Sequence, residues 1–332
     1  MGLRSYLGKR LFIAIILFFT ILIFNFFIFR LPIFILGIDP IDLYYTPDME
    51  PETMELFRKK FRIPEANAGF TAWFDHFIAY MQNTLILEFG QSFLTHRPVQ
   101  LEIMERLPNT ILLMGSATLI SIAIGIVTGI LAASRHGSKI DTALITVGLS
   151  VYSLPVFWIG MVLLLFFAFF LPLFSLGYSV SYPIPQNPIA RIWDFIWHLI
   201  LPCATLSLGL IGNYMLLMRN TLVEVLTEDY ILTARAKGLA ERMVLFKHGL
   251  RNAFLPLVTV ISISFAFIVA GSVLVETVFS WHGMGRLLFK GLMHNDWPVS
   301  QAIFWLISVC AIAANIIADL LYGILDPRIK YG

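Results

Sequence analysis

Charge is scarce in this chain of 332 residues: 13% are Asp, Glu, Lys or Arg, where an ordinary soluble domain carries about 25%. So few charges cannot dress a water-facing surface while 29 phenylalanines are buried behind it. A soluble enzyme is thereby disfavoured. The formal net charge of +2 and the lack of any basic stripe give no footing for a nucleic-acid partner. Cysteine is nearly missing too. Cys203 and Cys310 both sit in apolar stretches, which argues against a disulfide framework and a structural zinc site. No His-Glu-x-x-His motif occurs, and the seven histidines are scattered. Gly148-Leu149-Ser150-Val151-Tyr152 lacks the closing glycine of a nucleophile elbow, and Gly283-Met284-Gly285-Arg286 is not a Gly-x-Gly-Asp protease motif. Nor is there a Gly-x-x-x-x-Gly-Lys-Ser/Thr loop to cradle a nucleotide. Short solenoid repeats and low-complexity tracts are absent as well.

Hydrophobic residues make up 58% of the chain. A helix crossing a bilayer needs roughly 20 mainly apolar residues. Six stretches meet that need: Leu11 to Phe29, Thr110 to Ala133, Thr142 to Leu171, Trp197 to Met218, Ala253 to Val275 and Gln301 to Tyr322. Lipid leaves no partner for open backbone groups, so these read as helices. The first is too long for a signal-peptide core and is followed by Arg30-Leu31-Pro32, not by a small-residue cleavage site.

Lys and Arg set the orientation. With the N-terminus inside, the cytoplasmic pieces hold thirteen of them, and the short outer loops hold only Arg191, Arg286 and Lys290. Both termini are expected inside. The fold class is an all-α membrane protein of six transmembrane helices, one permease-sized domain over 1–332. Within it lie an extracellular insertion (31–107) between the first two helices and a cytoplasmic loop (219–252).

The insertion mixes charge with Phe70, Trp73, Phe74, Phe77 and Tyr80, which reads as a folded element with short helices. From Phe57 to Arg62 it reads as a solvated charged helix face. The outer turn from Val278 to Pro298 is broken by Gly283 and Gly285. Its His282, His294 and Asp296 are a weak metal set. Trp281 and Trp297, with Trp193 and Trp197, read as an interfacial aromatic belt. Pro155 and Pro202 are expected to kink or end helices.

In the cytoplasmic loop, Thr227 can cap a helix with Asp229 in its first turn, Arg235 and Lys237 in its last, and Gly238 at the left-handed position beyond. Tyr230, Leu232, Ala234 and Ala236 give it an apolar, small-residue surface. Such a helix suits either a groove on a partner protein or a bed of lipid headgroups.

The run from Asp229 to Leu239, continued by His248, Arg251-Asn252-Ala253 and Pro256, resembles the cytoplasmic loop of the dipeptide/oligopeptide/nickel permeases of ABC importers. Of the general Glu-Ala-Ala-x-x-x-Gly signature it keeps the last Ala, Ala234, and Gly238; Pro256 lies further from the Gly than usual. Further resemblances are Gly37-Ile38-Asp39-Pro40, Gly90-Gln91-Ser92, Arg106 to Thr110, Ser153 to Trp158, Glu276-Thr277-Val278-Phe279 and the tail Asp326 to Gly332.

The resemblance implies a type I ABC importer permease in a prokaryotic plasma membrane, non-catalytic itself. Its partners would be a second related permease, two ATPase subunits and an extracellular solute-binding protein, with lipid around it. ATP and Mg would bind the ATPases, and this chain would hold no cofactor. Residues from Thr227 to Gly238 would couple to the ATPase. Trp73, Phe74, Phe77, Gly283 and Gly285 would be binding-protein contacts. Asn213, Glu276, Asn315 and Asp319 are candidate pathway residues or helix-packing polars; for Glu276 and Asp319, near helix ends, packing is the favoured reading. Peptides are the first expectation for the solute, with oligosaccharides or nickel as alternatives. An ion-coupled carrier or channel is the rival from another class.

The charge asymmetry generates a topological prediction. In a background without Cys203 and Cys310, Glu65→Cys should react with an impermeant thiol reagent on intact cells, and Glu228→Cys should not. The reverse labelling would invert the topology.

Overall fold

The computed structural model describes residues 3–36 and 69–325, together with positions 52, 55, 56 and 59. The expected turn at Gly37 to Pro40, the charged face from Phe57 to Arg62 apart from Lys59, and the tail from Asp326 lie outside the described residues.

Among the described residues the fold is helical throughout, with one isolated bridge between Gln91 and Pro98. The helices are α1 (Leu3–Leu36), α2 (Phe70–Leu85), α3 (Val99–Ser134), α4 (Lys139–Tyr152), α5 (Val156–Phe170) and α6 (Pro188–Leu226). They continue as α7 (Asp229–Ala236), α8 (Glu241–Ala270), α9 (Val273–Val278), α10 (Met284–Met293) and α11 (Trp297–Leu325).

Among the described residues five helices are long and apolar enough to cross a membrane: those within α1, α3, α6, α8 and α11. The third expected span is not one helix. It is α4 and α5, bent by 90° at Ser153–Pro155, and it gives a sixth crossing only if the pair is counted together. Pro155 has no N–H to continue the ladder of α4, and its ring disfavours helical backbone at the residue before it. Pro202, by contrast, is accommodated within α6. Several helices also outrun their apolar cores. α3 begins at Val99 and α6 at Pro188, because polar first turns continue the helix beyond the stretch that lipid selects.

Large apolar side chains such as Phe12, Ile16, Phe24, Val127, Phe169 and Ile189 remain exposed on the bundle. In water such a surface would drive aggregation; against lipid tails it costs nothing. Burial is reserved for the helix seams. The largest seam joins α3 to α6, and it works through missing side chains. A Cβ at Gly129 would stand 2.7 Å from the Met215 carbonyl oxygen, and one at Gly125 would stand 2.6 Å from the Tyr214 Cβ. Backbones approach because nothing separates them. Ser121 adds hydrogen bonds to the carbonyls of Ala117 (2.6 Å) and Ser207 (3.3 Å).

The aromatics of the insertion are not the surface patch expected of them. Trp73 and Tyr80 are buried and Phe77 is half-buried, because positions 73, 77 and 80 form one face of α2 that packs on Leu22 and Phe26 of α1 and Trp305 of α11. Phe26 meets Phe77 edge-on with centroids 5.0 Å apart. Of Trp73, Phe74 and Phe77, the three expected to touch a binding protein, only Phe74 is exposed, stacked on Phe70. The segment after α2 is held to the turn before α11 by Asp296. Its buried carboxylate accepts from the Ser92 hydroxyl and from the backbone N–H groups of Phe93 (3.0 Å) and Leu94 (3.3 Å).

The α3–α6 seam predicts the cost of filling it. Gly129→Leu should destabilise the protein by about 3 kcal/mol, read as a lowered unfolding midpoint in detergent. Gly115→Leu on the same helix, where a Cβ meets nothing within 4 Å, should be neutral or stabilising by up to about 1 kcal/mol. Equal losses at both positions would refute the close-approach account.

Candidate functional site

Two regions gather the residues singled out by the sequence. The first is the short helix α7. Glu228, not Thr227, is its N-cap residue, with extended backbone; Thr227 still closes α6, and its hydroxyl donates to the Glu224 carbonyl (2.7 Å). The two-residue link is too short for Thr227 to leave one helix and cap the next. The other end follows expectation. Gly238 has φ +74°, its N–H donates to the Arg235 carbonyl (2.9 Å) and that of Leu239 to the Ala234 carbonyl (3.4 Å). A Cβ there would meet no neighbour, so the glycine serves backbone conformation alone.

The faces of α7 are distributed differently from the expectation. Ile231 and Ala234, three residues apart, point inward and pack with Val244, Leu226 and Leu239. Ala234 is therefore part of the helix's own seat and is not free to enter a partner's groove. Tyr230, Leu232, Arg235, Ala236 and Lys237 remain exposed. Two polar ties secure the seat. Asn252 Nδ2 donates to the Tyr230 hydroxyl (2.7 Å), and Arg235 Nε donates to Glu241 Oε1 (2.9 Å).

Beside this loop, Asp141 at the start of α4 is buried and accepts from Arg219 Nη2 (2.8 Å), Arg219 Nε (3.1 Å) and the Gly137 N–H (3.0 Å). Sequence reading missed this pair. Its signal was an acid in the first turn of an apolar stretch, facing the one arginine that closes the α6 span.

The second region lies at the opposite ends of α3 and α6. The side chain of Glu276 on α9 is fully buried. Its carboxylate accepts from the Thr110 hydroxyl of α3 (3.0 Å) and from the Arg286 N–H of α10 (2.9 Å), with the Gly285 N–H also turned towards it. Thr110 in turn accepts from the Met284 N–H (2.7 Å). The first turn of α10 thus spends its open donors on an internal acid and on its hydroxyl neighbour. Around it, Trp281 Nε1 donates to the Asn109 carbonyl (3.2 Å) and Asn109 Nδ2 to the His282 carbonyl (2.8 Å).

Two expectations change here. Gly283 and Gly285 are buried and offer no contact surface. A Cβ at Gly283 would stand 2.5 Å from Glu276 Oε2, and one at Gly285 would stand 2.8 Å from the Val273 nitrogen. Trp281 is fully buried in the central core with Leu113, Ala117 and Phe279, not at a lipid interface. Glu276 is a packing polar. Of the others, Asn213 is half-buried and Asn315 exposed, neither brought to Glu276, and the side chain of Asp319 lies outside the described residues. Among the described residues no three His, Cys, Asp or Glu side chains gather to hold a metal ion.

Comparison with known proteins adds the following. Residues 125–331 match the family described as "Binding-protein-dependent transport system inner membrane component". The chain is 36% identical over 294 residues to the oligopeptide transport system permease protein AppB of Bacillus subtilis (strain 168), covering 88% of this chain and 90% of that one. It is 36% identical over 272 residues to the dipeptide transport system permease protein DppB of Escherichia coli (strain K12), covering 77% and 80%. It is 34% identical over 293 residues to the glutathione transport system permease protein GsiC of the same strain, covering 88% and 89%.

The Glu276 knot carries its own test. Glu276→Ala leaves buried donors without an acceptor, at about 1–3 kcal/mol each. Thermal unfolding of Glu276→Ala, Thr110→Val and the double variant should therefore be non-additive, with a coupling of about 1 kcal/mol or more. Additive losses would mean that the two side chains act independently.

Proposed function

Because the chain belongs to the binding-protein-dependent transport system inner membrane components, we propose that it is one of two related permease subunits of an ATP-driven peptide importer. The observation that carries the peptide reading is the set of relatives covering most of the chain, whose names specify oligopeptides, dipeptides and glutathione, all of them peptidic. Oligosaccharides and nickel are correspondingly disfavoured. The family description supports a multi-pass membrane component.

In this reading two ATPase subunits bind ATP and Mg, and this chain contributes no catalysis. A binding protein delivers the peptide from outside a prokaryotic plasma membrane, and both termini lie in the cytoplasm. The bent pair α4–α5 counts as one crossing, which gives six. The insertion between α1 and α3 faces outward. α7 is the coupling element: closure of the ATPases presses on its exposed face, and the buried Ile231 and Ala234 pass the displacement to α6 and α8. Rocking of one bundle against its partner then exposes the path alternately to each side.

The exposed face of α7 favours an ATPase over lipid headgroups because it carries Leu232 beside Asp229, Arg235 and Lys237 of mixed sign, with only one phenol in reach of an interface. Leu232→Asp should abolish hydrolysis stimulated by loaded binding protein while leaving the bundle folded. Ala234→Trp should do the same by unseating the helix, since overpacking a buried site costs about 1–3 kcal/mol. The measurement is ATP hydrolysis by the reconstituted complex, with and without loaded binding protein. Full stimulation in Leu232→Asp, with the ATPase still co-purifying, would hand α7 to the lipid surface.

A further inference from the structure

A cleft of about 1560 Å³ opens at the end of the bundle opposite α7. Its walls come from the first turns of α3 (Glu105, Asn109, Leu112), the segment 175–184, the start of α6 from Arg191 to Leu199, and residues 280–290. The walls are built, not left over. Asp194 of α6 accepts from the Ser181 N–H (2.8 Å) and hydroxyl (2.7 Å), and the Tyr178 N–H donates to the Phe279 carbonyl (2.9 Å). The segment 175–184 is thus pinned on both flanks.

The charge of the cleft is unbalanced. Arg191, Arg286, Lys290 and His282 line it. Its one acid, Glu105, is already engaged by Arg97 through Nη1 at 3.0 Å. Among the described residues no ion pair involves Arg191, Arg286 or Lys290. Burial and the neighbouring guanidinium groups of Arg286 and Arg106 hold the Lys290 ammonium below its ordinary pKa, and no carboxylate pulls it back. A guest anion would relieve that repulsion and find fork-shaped donors for both its oxygens. Beside Arg191 on the same helix, Ile192, Phe195, Ile196 and Leu199 also line the cleft and give it apolar surface for uncharged side chains.

Resting on the peptide reading above, we propose that this cleft receives the terminal carboxylate of the arriving peptide, with Arg191 and Lys290 as its principal cationic contacts. The concave form, the unpaired cations and the apolar lining fit the carboxyl end of a small peptide and its uncharged side chains. Its volume exceeds the roughly 300–1,000 Å³ of an ordinary small-ligand pocket, which leaves room for chain length to vary.

The test uses the assembled complex in proteoliposomes. Dialanine and dialanine amide are supplied on the binding protein at equal occupancy, and uptake is measured for wild type, Arg191→Gln/Lys290→Gln and the conservative Arg191→Lys/Lys290→Arg. Wild type should carry the acid faster than the amide. The neutral double variant should lose about tenfold in uptake of the acid, the worth of one charge-assisted hydrogen bond, and fall to the rate of the amide. The conservative variant should keep most of the preference. Wild-type uptake of the acid by the double variant, or equal rates for acid and amide in wild type, would overturn the proposal. Parallel loss of binding-protein association in the double variant would overturn it too, by making the cleft a docking surface. Failure of wild type to carry either peptide would instead sink the peptide reading itself.

Discussion

One buried carboxylate holds the end of the bundle opposite α7 together. Glu276 lies on a six-residue helix between two breaks, and nothing in so short a helix would fix its place alone. Its oxygens take the Thr110 hydroxyl of a long membrane helix and the first-turn N–H groups of α10. An acid in that position answers the open donors and the positive end of the following helix at once. The glycines around it follow from the same constraint. Gly271, Gly283 and Gly285 each stand where a Cβ would lie about 3 Å or less from the carboxylate or the backbone beside it. The knot therefore dictates glycine at three positions, a buried Trp281 above them, and the departure of α10 along the surface. A lipid-facing bundle has little hydrophobic drive to bring helices together, so such polar and close-packed points carry the fold.

The opposite end is organised by the same economy. α6 and α8 leave the membrane region and are bridged by an eight-residue helix that buries two side chains, Ile231 and Ala234. Isolated in water, a helix of that length would not persist. It is held by its seat, by Gly238 at its end and by ties from Asn252 and Glu241. Because the seat is made of residues from α6 and α8, displacement of α7 must move both.

Much of this was legible in the residues. Apolar run length located the five long apolar helices, and Gly238 was placed in left-handed backbone from cap logic. Glu276 was judged a packing group from its position near a helix end. The misplacements have physical causes. Pro155 marked the break at Ser153–Pro155, but apolar run length alone joined both arms into one span and gave no sign of the 90° angle between them. Trp73 and Phe77 were counted by type and not by spacing; their separation by four residues, with Tyr80 three beyond, marks a face turned to the bundle. Ala234 was assigned outward because small residues suit a groove, yet its partner at i−3, Ile231, is the most apolar residue of the helix and sets the buried side. Asp141 and Arg219 are 78 residues apart, and no local pattern joins them.

The two ends can communicate only through stiff parts. α6 has 39 residues, a length of roughly 58 Å at 1.5 Å per residue. It runs without a break from the basic cleft to the link before α7, with Pro202 absorbed inside it. α8 runs to Ala270 and then stops at Gly271, where positive φ would suggest a hinge. The packing denies that role, since a Cβ there would already stand 2.7 Å from Glu276 Oε1. A break so tightly filled cannot flex without opening the knot and stranding its donors. On the coupling role proposed for α7, movement entering there would be transmitted with the knot intact, as a tilt of the whole α3–α6 pair. The softer joint is the bend between α4 and α5, where the backbone turns through 90° and no buried acid pins it. The cleft lies at the far end of that pair, so its walls on α6 and on residues 280–290 would travel with the knot.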